Sequence, residues 1–574
     1  MIFEFFIVFS WCAVFGIDLG DCYTKVSTAS QRHLVLQAMN SYSKFLNPTI
    51  ISIWNTSNPK HAQSYDEKHA LDYNWGVADI VRMRCLRYPE TCIRGIPILQ
   101  NSTFAGDDIE TFSAIYLKSI FESVNHAEDL HESVQNVISI PHSFGTSEKL
   151  LLQKAVSLTN LSVTKFVYHQ SAIAKLYGIE RSNTFADKEL YTAFVDIGSK
   201  GTRISIYKFN SDNQSINIEE IAFAANENVG GNAIDQKLID KIVKNHKIKF
   251  SKPKHYYFLL DEVKKAKEML TLHDKQTFKF EQEENKPIMI TITRNDLKEA
   301  SKELIDVINQ LSDKVLKECP VKVNTVEFVG GSTRLFFLPD IIKPKFDVDR
   351  ISHSLNADAA ISMGVTYFAA ILFSEFSVKK VNFTEKIRNS FEIRVRDKEY
   401  KIFGEGTTQR TVPHIRCRIT KNDLIKISSN GSDFLGFTVD VPEEMVVDLS
   451  FVMGHYLLPI PFKAVSGEGK EFEISIIKHK VDRKRYDSLI RSAVIRKMRE
   501  KARNDLETQL FKVKNFLEKN KNQKIENAYK KVTEWLETVD QRTSANTINR
   551  VLQSLNNETL GLMNFIDPTH DRTI

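Results

Sequence analysis

One twelve-residue phrase occurs twice in this chain, and the repeat narrows what the chain can fold into. The first copy is Gly16-Ile17-Asp18-Leu19-Gly20-Asp21-Cys22-Tyr23-Thr24-Lys25-Val26-Ser27. The second is Phe194-Val195-Asp196-Ile197-Gly198-Ser199-Lys200-Gly201-Thr202-Arg203-Ile204-Ser205. The copies align without a gap at an offset of 178, with Asp, Gly, Thr, a basic residue and Ser on matching places. Each reads as an apolar strand, a turn at the glycine, and a second strand that alternates apolar and polar residues. Two such hairpins predict two similar lobes facing one another. Backbone N–H groups in each turn would then cradle phosphates from either side. An Asp at each strand end would hold a cation and its waters.

A third element fits the same arrangement. Val326 to Arg334 reads as a strand running into the Gly330-Gly331 turn, where small residues let backbone approach a flat ligand such as a nucleoside. Val229-Gly230-Gly231-Asn232 and Asn356-Ala357-Asp358-Ala359-Ala360 add two more turns. Five such turns in this order resemble the actin, sugar-kinase and heat shock protein 70 superfamily, in which two α/β lobes close on a nucleotide.

The remainder of the chain changes its pattern. From about Ser377 to Lys480 the periodicity is mainly two, as in Phe391-Glu392-Ile393-Arg394-Val395 and Ile415-Arg416-Cys417-Arg418-Ile419, with turns at Gly404 and at Asn430-Gly431. That pattern predicts an antiparallel β-sandwich. The apolar stretch Met445–Phe462 reads as buried strand. From about Asp482 the pattern is helical, with one stripe through Leu489, Val494, Met498, Ala502, Leu506, Leu510, Val513 and Leu517, and two shorter stripes after it. Two lobes, a sandwich and a helical tail resemble the heat shock protein 70 branch; actins and sugar kinases have no such tail. The expected fold is multidomain: an actin-like α/β nucleotide domain over 16–376, an antiparallel β-sandwich over 377–481 and an α-helical lid over 482–574. The connector Phe376 to Phe383, with Lys379 and Lys380, is similar to the basic connector of the large endoplasmic-reticulum members, the hypoxia-upregulated, glucose-regulated chaperones. The long acidic insertion of that branch is replaced by the short turn Val465–Gly469, so the chain resembles a shortened member.

The resemblance implies bound ATP or ADP with Mg2+. It makes Asp18 and Asp196 the catalytic residues and, through water, the metal holders. Nucleotide contacts fall on Gly20, Asp21, Cys22 and Tyr23 of the first hairpin and on Gly198, Ser199, Lys200, Gly201 and Thr202 of the second. Others fall on Gly230 and Gly231, on Lys264, Lys267, Glu268 and Thr271 of an adenosine helix, and on Gly330, Gly331, Ser332, Arg334 and Asp358.

Several matched positions depart from the family. Asp21 and Cys22 replace two Thr, Gly201 replaces a phosphate-contacting Thr, and Arg203 stands where a metal-side Asp belongs. Tyr168-His169-Gln170 matches a phrase that couples the lobes, where His169 replaces an acid that helps hold the metal site, and the Arg that stacks on adenine is gone. Between Arg82 and Arg94 only arginines answer the family's catalytic Lys. Acids near the metal are lost and bases gained, so Lys200 or Arg203 takes over part of the metal's role toward phosphate, and hydrolysis is degraded. A placement of the ligands one or two residues away remains the alternative.

Composition adds limits. The net charge is +6, too small to argue for nucleic acid, and the segment Arg483–Asp540, with 16 Lys and Arg against 9 Asp and Glu, reads as a solvated helical face. Met1–Phe15 is almost wholly apolar and reads as a signal peptide cleaved near Cys12 or Ala13, although Glu4 lies within it and no Lys or Arg precedes its core; an extended first strand is the alternative. No other segment reads as a membrane span. Cys85 and Cys92 pair in an oxidising lumen or remain two thiols, and no zinc spacing occurs among the six cysteines. Seven sequons begin at Asn55, Asn101, Asn160, Asn213, Asn382, Asn430 and Asn557. The sequence ends Asp571-Arg572-Thr573-Ile574, without a retention tetrapeptide.

The expected function is that of an ATP-binding chaperone of the endoplasmic reticulum lumen. It would hold unfolded polypeptide clients and act as nucleotide exchange factor for an ordinary lumenal heat shock protein 70 partner, with weak or degraded ATPase activity. The alternatives are an ordinary ATP-hydrolysing folding chaperone, a small-molecule kinase and a nucleotide-free scaffold.

Overall fold

The computed structural model describes residues 12–30, 35–55, 73–95, 109–127, 132–186, 188–212, 214–281, 287–372, 380–477, 483–539 and 543–566. Residues 1–11 of the expected signal peptide, connector residues 376–379, the sequons at Asn101 and Asn213, and the chain end 567–574 lie outside them. The chain forms two compact units, one of residues 1–52, 76–104 and 108–481, the other of 53–75, 105–107 and 482–574.

The repeated phrase folds as two equivalent hairpins, each at the centre of its own sheet. In the first sheet Cys12–Leu19 pairs antiparallel with Tyr23–Ser30 and parallel with Glu132–Ile140. In the second, Leu190–Ile197 pairs antiparallel with Thr202–Ser211 and parallel with Thr325–Val329. The duplication in sequence is therefore a duplication of topology. The central strands are buried on both faces, which explains their nearly continuous apolar runs.

The lobes share one hydrophobic core. Helices His169–Glu180 and Ala360–Ile371 pack in it so closely that a Cβ on Gly364 would lie 1.9 Å from the carbonyl oxygen of Ala172. Gly16 meets the backbone of Thr366 in the same way, at 2.3 Å. These contacts exclude any larger residue and hold Asp18 and Asp196 at facing strand ends.

Residues 391–477 form the sandwich that the alternation predicts. One sheet holds Phe391–Val395, Lys398–Phe403, Ile425–Ser429, Ser432–Val439 and Ile474–Ile477; the other holds His414–Ile419, Met445–Met453 and Pro459–Ser466. A shared apolar core lies between them. The stretch Met445–Phe462 is not one strand but a hairpin, turned at Gly454 to Leu458 with Leu457 at φ 57°. That turn also docks on the first lobe: the His455 carbonyl accepts from Phe166 N at 2.9 Å, and Tyr456 donates to the Val163 carbonyl at 3.0 Å. The buried Lys149 donates to Tyr168, to Asn389 and to the Leu457 carbonyl. Connector residues Lys380–Thr384 extend the second lobe's sheet, pairing parallel with Ser215–Asn226.

The second unit carries helices Lys484–Lys519, Gln523–Thr538 and Ala545–Ile566, packed through Ala502, Leu506, Leu510, Val532, Ile548 and Leu555. The long stripe holds only in part: Val494 and Met498 are exposed. No helix among the described residues is long and apolar enough to cross a membrane.

Candidate nucleotide-binding site

A cleft of about 760 Å3 opens between the two hairpins. All the residues expected to contact nucleotide line it except Thr202 and Gly230, which stand behind the wall. Thr202 is buried and donates to the Val229 carbonyl at 2.8 Å. Gly230 precedes helix Gly231–His246, and a Cβ there would lie 2.7 Å from the Gly198 carbonyl oxygen. Their task is to seat the helix start on the hairpin turn, where Gly231 N donates to Gly198 and Asn232 N to Ser199. At Gly330, φ is +86° and a Cβ would meet the Ile197 carbonyl at 2.5 Å, so this turn requires glycine. Its neighbour Gly331 has room: a Cβ would meet only the tips of Arg334 and Asp358, at 3.7 and 3.8 Å.

Strand register explains the electrostatics. Asp18 lies opposite Lys25, and Asp196 opposite Arg203, at the same place in the two hairpins. Lys25 Nζ is 2.7 Å from Asp18 Oδ2. Burial alone would lower the Lys25 pKa, but Asp18 outweighs it and holds the ammonium above its ordinary value. Arg203 lies 3.5 Å from Asp196 and binds Glu227 through Nε at 2.9 Å and through Nη2. Glu227 therefore takes most of the guanidinium's donors, and burial lifts Asp196 to about 6 against the pull of Arg203. Gln170 steadies Asp196, donating to it at 2.9 Å while accepting from Ser205 at 2.8 Å.

His169 sits beside Asp18, its Nε2 3.6 Å from Oδ1. Burial pushes its pKa down to about 3; Asp18 opposes the shift, and Arg203 and Lys25 reinforce it. The imidazole is therefore neutral at physiological pH and cannot stand in for an acid. On the expected adenosine helix, Pro253–Met269, Lys267 is bound to Asp235 at 2.6 Å and to the Gly231 carbonyl at 2.9 Å. Thr271, just past that helix, bonds back to the Glu268 carbonyl. Arg334 and Asp358 clamp one another at 2.6 and 3.0 Å beside Gly331.

The sequence reading gave no role to Lys25 or Asp235 and did not single out Glu227 or a link across the cleft. Arg82 of helix Asp79–Arg87 reaches Asp261 at 3.1 Å, and Arg94 lies over the Tyr257 ring at 4.5 Å. Cys85 and Cys92 form a disulfide in that segment, with Cα atoms 5.7 Å apart. The signal for Lys25 was present, since its offset from Arg203 is that of the repeat.

The family model described as "Hsp70 protein" matches residues 14–422, more than half of the chain. The chain belongs to the heat shock protein 70 family. It is 22% identical over 465 residues to a heat shock protein homolog of Saccharomyces cerevisiae, covering 75% of this chain and 66% of that one. It is 24% identical to human "Heat shock 70 kDa protein 4L", covering 67% and 48%. To "Heat shock protein 70 homolog lhs1" of Schizosaccharomyces pombe it is also 24% identical, covering 59% and 43%. The chain thus spans roughly half of the length of these relatives, between 43% and 66%.

The open side of Gly331, the two hairpin turns and the lysines of the second lobe fit a nucleotide: Gly20, Gly198 and Lys200 would hold phosphate, and Gly331 with Arg334 the nucleoside. One oxygen of each strand-end acid already faces an internal cation, so direct ligation of a divalent cation there would compete with Lys25 and Arg203.

Proposed function

We propose that the chain binds ATP with little turnover, holds unfolded polypeptide, and promotes nucleotide exchange on a partner heat shock 70 chaperone in the endoplasmic reticulum lumen. The observation that carries the slow turnover is the occupation of both strand-end aspartates, Asp18 by Lys25 and Asp196 by Arg203. A carboxylate so engaged is poorly available to orient or deprotonate an attacking water, and neutral His169 supplies no substitute. The Cys85–Cys92 disulfide and the apolar stretch at Met1–Phe15 support an oxidising, secretory location.

The client surface is placed on the outer face of the three-stranded sheet of the sandwich. Ile460 and Phe462 are exposed there, on alternate positions of one strand, and Val446 is exposed at the far end of its neighbour. An extended apolar segment would cover them, and isolated polar contacts would not. Full-length protein should suppress light scattering of a denatured client without ATP. The double variant I460S/F462S, altered only at exposed positions, should keep the wild-type unfolding temperature and lose most of that suppression. Unchanged suppression by the variant would remove the client role from this face. Peptide-stimulated hydrolysis at the rate of an ordinary family member would favour a folding ATPase instead.

A further inference from the structure

We propose that the cleft binds nucleoside triphosphate without a divalent cation, with Lys25 and Arg203, one from each lobe, neutralising the phosphates. The proposal rests on the reading of the cleft as a nucleotide site and goes beyond it by assigning the counter-charge to the chain itself.

The two cations are related by the internal repeat. Each sits on the second strand of its hairpin, directly across from the strand-end acid, in register pairs Asp18–Lys25 and Asp196–Arg203. Both line the cleft. Together they bring two cationic donors, one from each lobe, to the place where the phosphates would lie. Lys25 uses one donor on Asp18, and an ammonium has three. Arg203 is anchored through Nε and Nη2 by Glu227, which fixes the guanidinium plane. Its Nη1 makes only the 3.5 Å contact to Asp196 and keeps donor capacity for an anionic oxygen. Lys200 sits in the second turn and forms no ion pair among the described residues.

One oxygen of each acid is meanwhile engaged. Asp18 Oδ2 takes Lys25, while Oδ1 faces Ser139 at 3.4 Å and His169 at 3.6 Å. Asp196 Oδ2 takes both Gln170 and Arg203. Mg2+ demands near-ideal octahedral oxygen ligands and gives up its water reluctantly. An ion ligated directly by Asp18 Oδ2 or Asp196 Oδ2 would have to displace the ammonium or the guanidinium and would then sit beside it. Among the described residues no group of three or more acid, His or Cys side chains gathers at a point.

The test is calorimetric titration of the full-length protein with ATP, once with excess EDTA and once with excess Mg2+. The proposal expects dissociation constants within about threefold of one another. Heat with Mg2+ but none with EDTA, or a preference for Mg2+ above about tenfold, overturns it while leaving the nucleotide reading intact. Absence of heat in both overturns the nucleotide reading itself. A second arm uses D18N/K25M, which removes both ends of the first pair and so leaves no buried charge alone. With its unfolding temperature near wild type, this variant should bind ATP in EDTA at least about tenfold more weakly. Unchanged binding would show that Lys25 does not carry the counter-charge.

Discussion

Gly331→Phe is expected to abolish ATP binding while leaving the unfolding temperature of the protein unchanged. Gly331 lines the cleft, and a Cβ there meets nothing nearer than the tip of Arg334 at 3.7 Å. The aromatic ring can therefore be accommodated by the fold but must occupy the space meant for a flat ligand. A rise in Kd of at least about 100-fold, some 3 kcal/mol, is the expected size. The neighbouring Gly330 supplies the contrast. A Cβ on Gly330 would lie 2.5 Å from the Ile197 carbonyl and 2.8 Å from Asp196, at positive φ. Gly330→Ala should thus lower stability as well as binding, because the backbone of the turn itself must shift. Calorimetry for binding and thermal unfolding for stability separate the two. If Gly331→Phe binds ATP like wild type, the nucleoside does not lie against this turn.

The second large effect concerns the joint between the second lobe and the sandwich. Arg388→Met should cost about 3 kcal/mol and split thermal unfolding into two transitions. Arg388 pairs with Glu220, which is 3% exposed, and lies 4.3 Å over the Phe223 ring. Burial raises the Glu220 pKa even though Arg388 and Lys386 oppose it. Without the guanidinium, that carboxylate stays buried beside an apolar residue, and the easiest relief is to part the sandwich from the lobe. The double variant E220Q/R388M removes the stranded charge and should recover part of the loss. The same joint holds Glu385, which bonds Ser171 and Gln409 and is pushed up to about 7 by burial. A single transition at the wild-type temperature in Arg388→Met would mean that this pair does not fasten the two parts.

How much of this was legible in the residues varies by the physics involved. The hairpins were legible because Asp, Gly and Thr recur at fixed spacing, and glycine turns leave a sequence mark. The sandwich strands were legible because one face is buried, which forces alternation. The role of Lys25 was not, since a lysine on an alternating strand reads as solvent-facing; only register sets it opposite Asp18. Met445–Phe462 misled because the hairpin turn lacks turn residues beyond Gly454; Leu457 takes the positive φ instead, and His455 and Tyr456 are held by the first lobe. Thr202 of the hairpin and Gly230 of the Gly230-Gly231 turn carry the expected pattern but shape the cleft wall from behind. Val494 and Met498 keep a helical period without burial, because period alone does not say what a face meets. The Cys85–Cys92 bond was open in the sequence, since a spacing of seven is compatible with pairing or with free thiols.

The central claim is a heat shock 70 cleft that retains ATP rather than hydrolysing it. The most direct measurement incubates full-length protein with radiolabelled ATP, isolates the complex by rapid gel filtration, and identifies the bound nucleotide over an hour. The account predicts stoichiometric label recovered as ATP throughout. Conversion to ADP at the pace of an ordinary family member would contradict it.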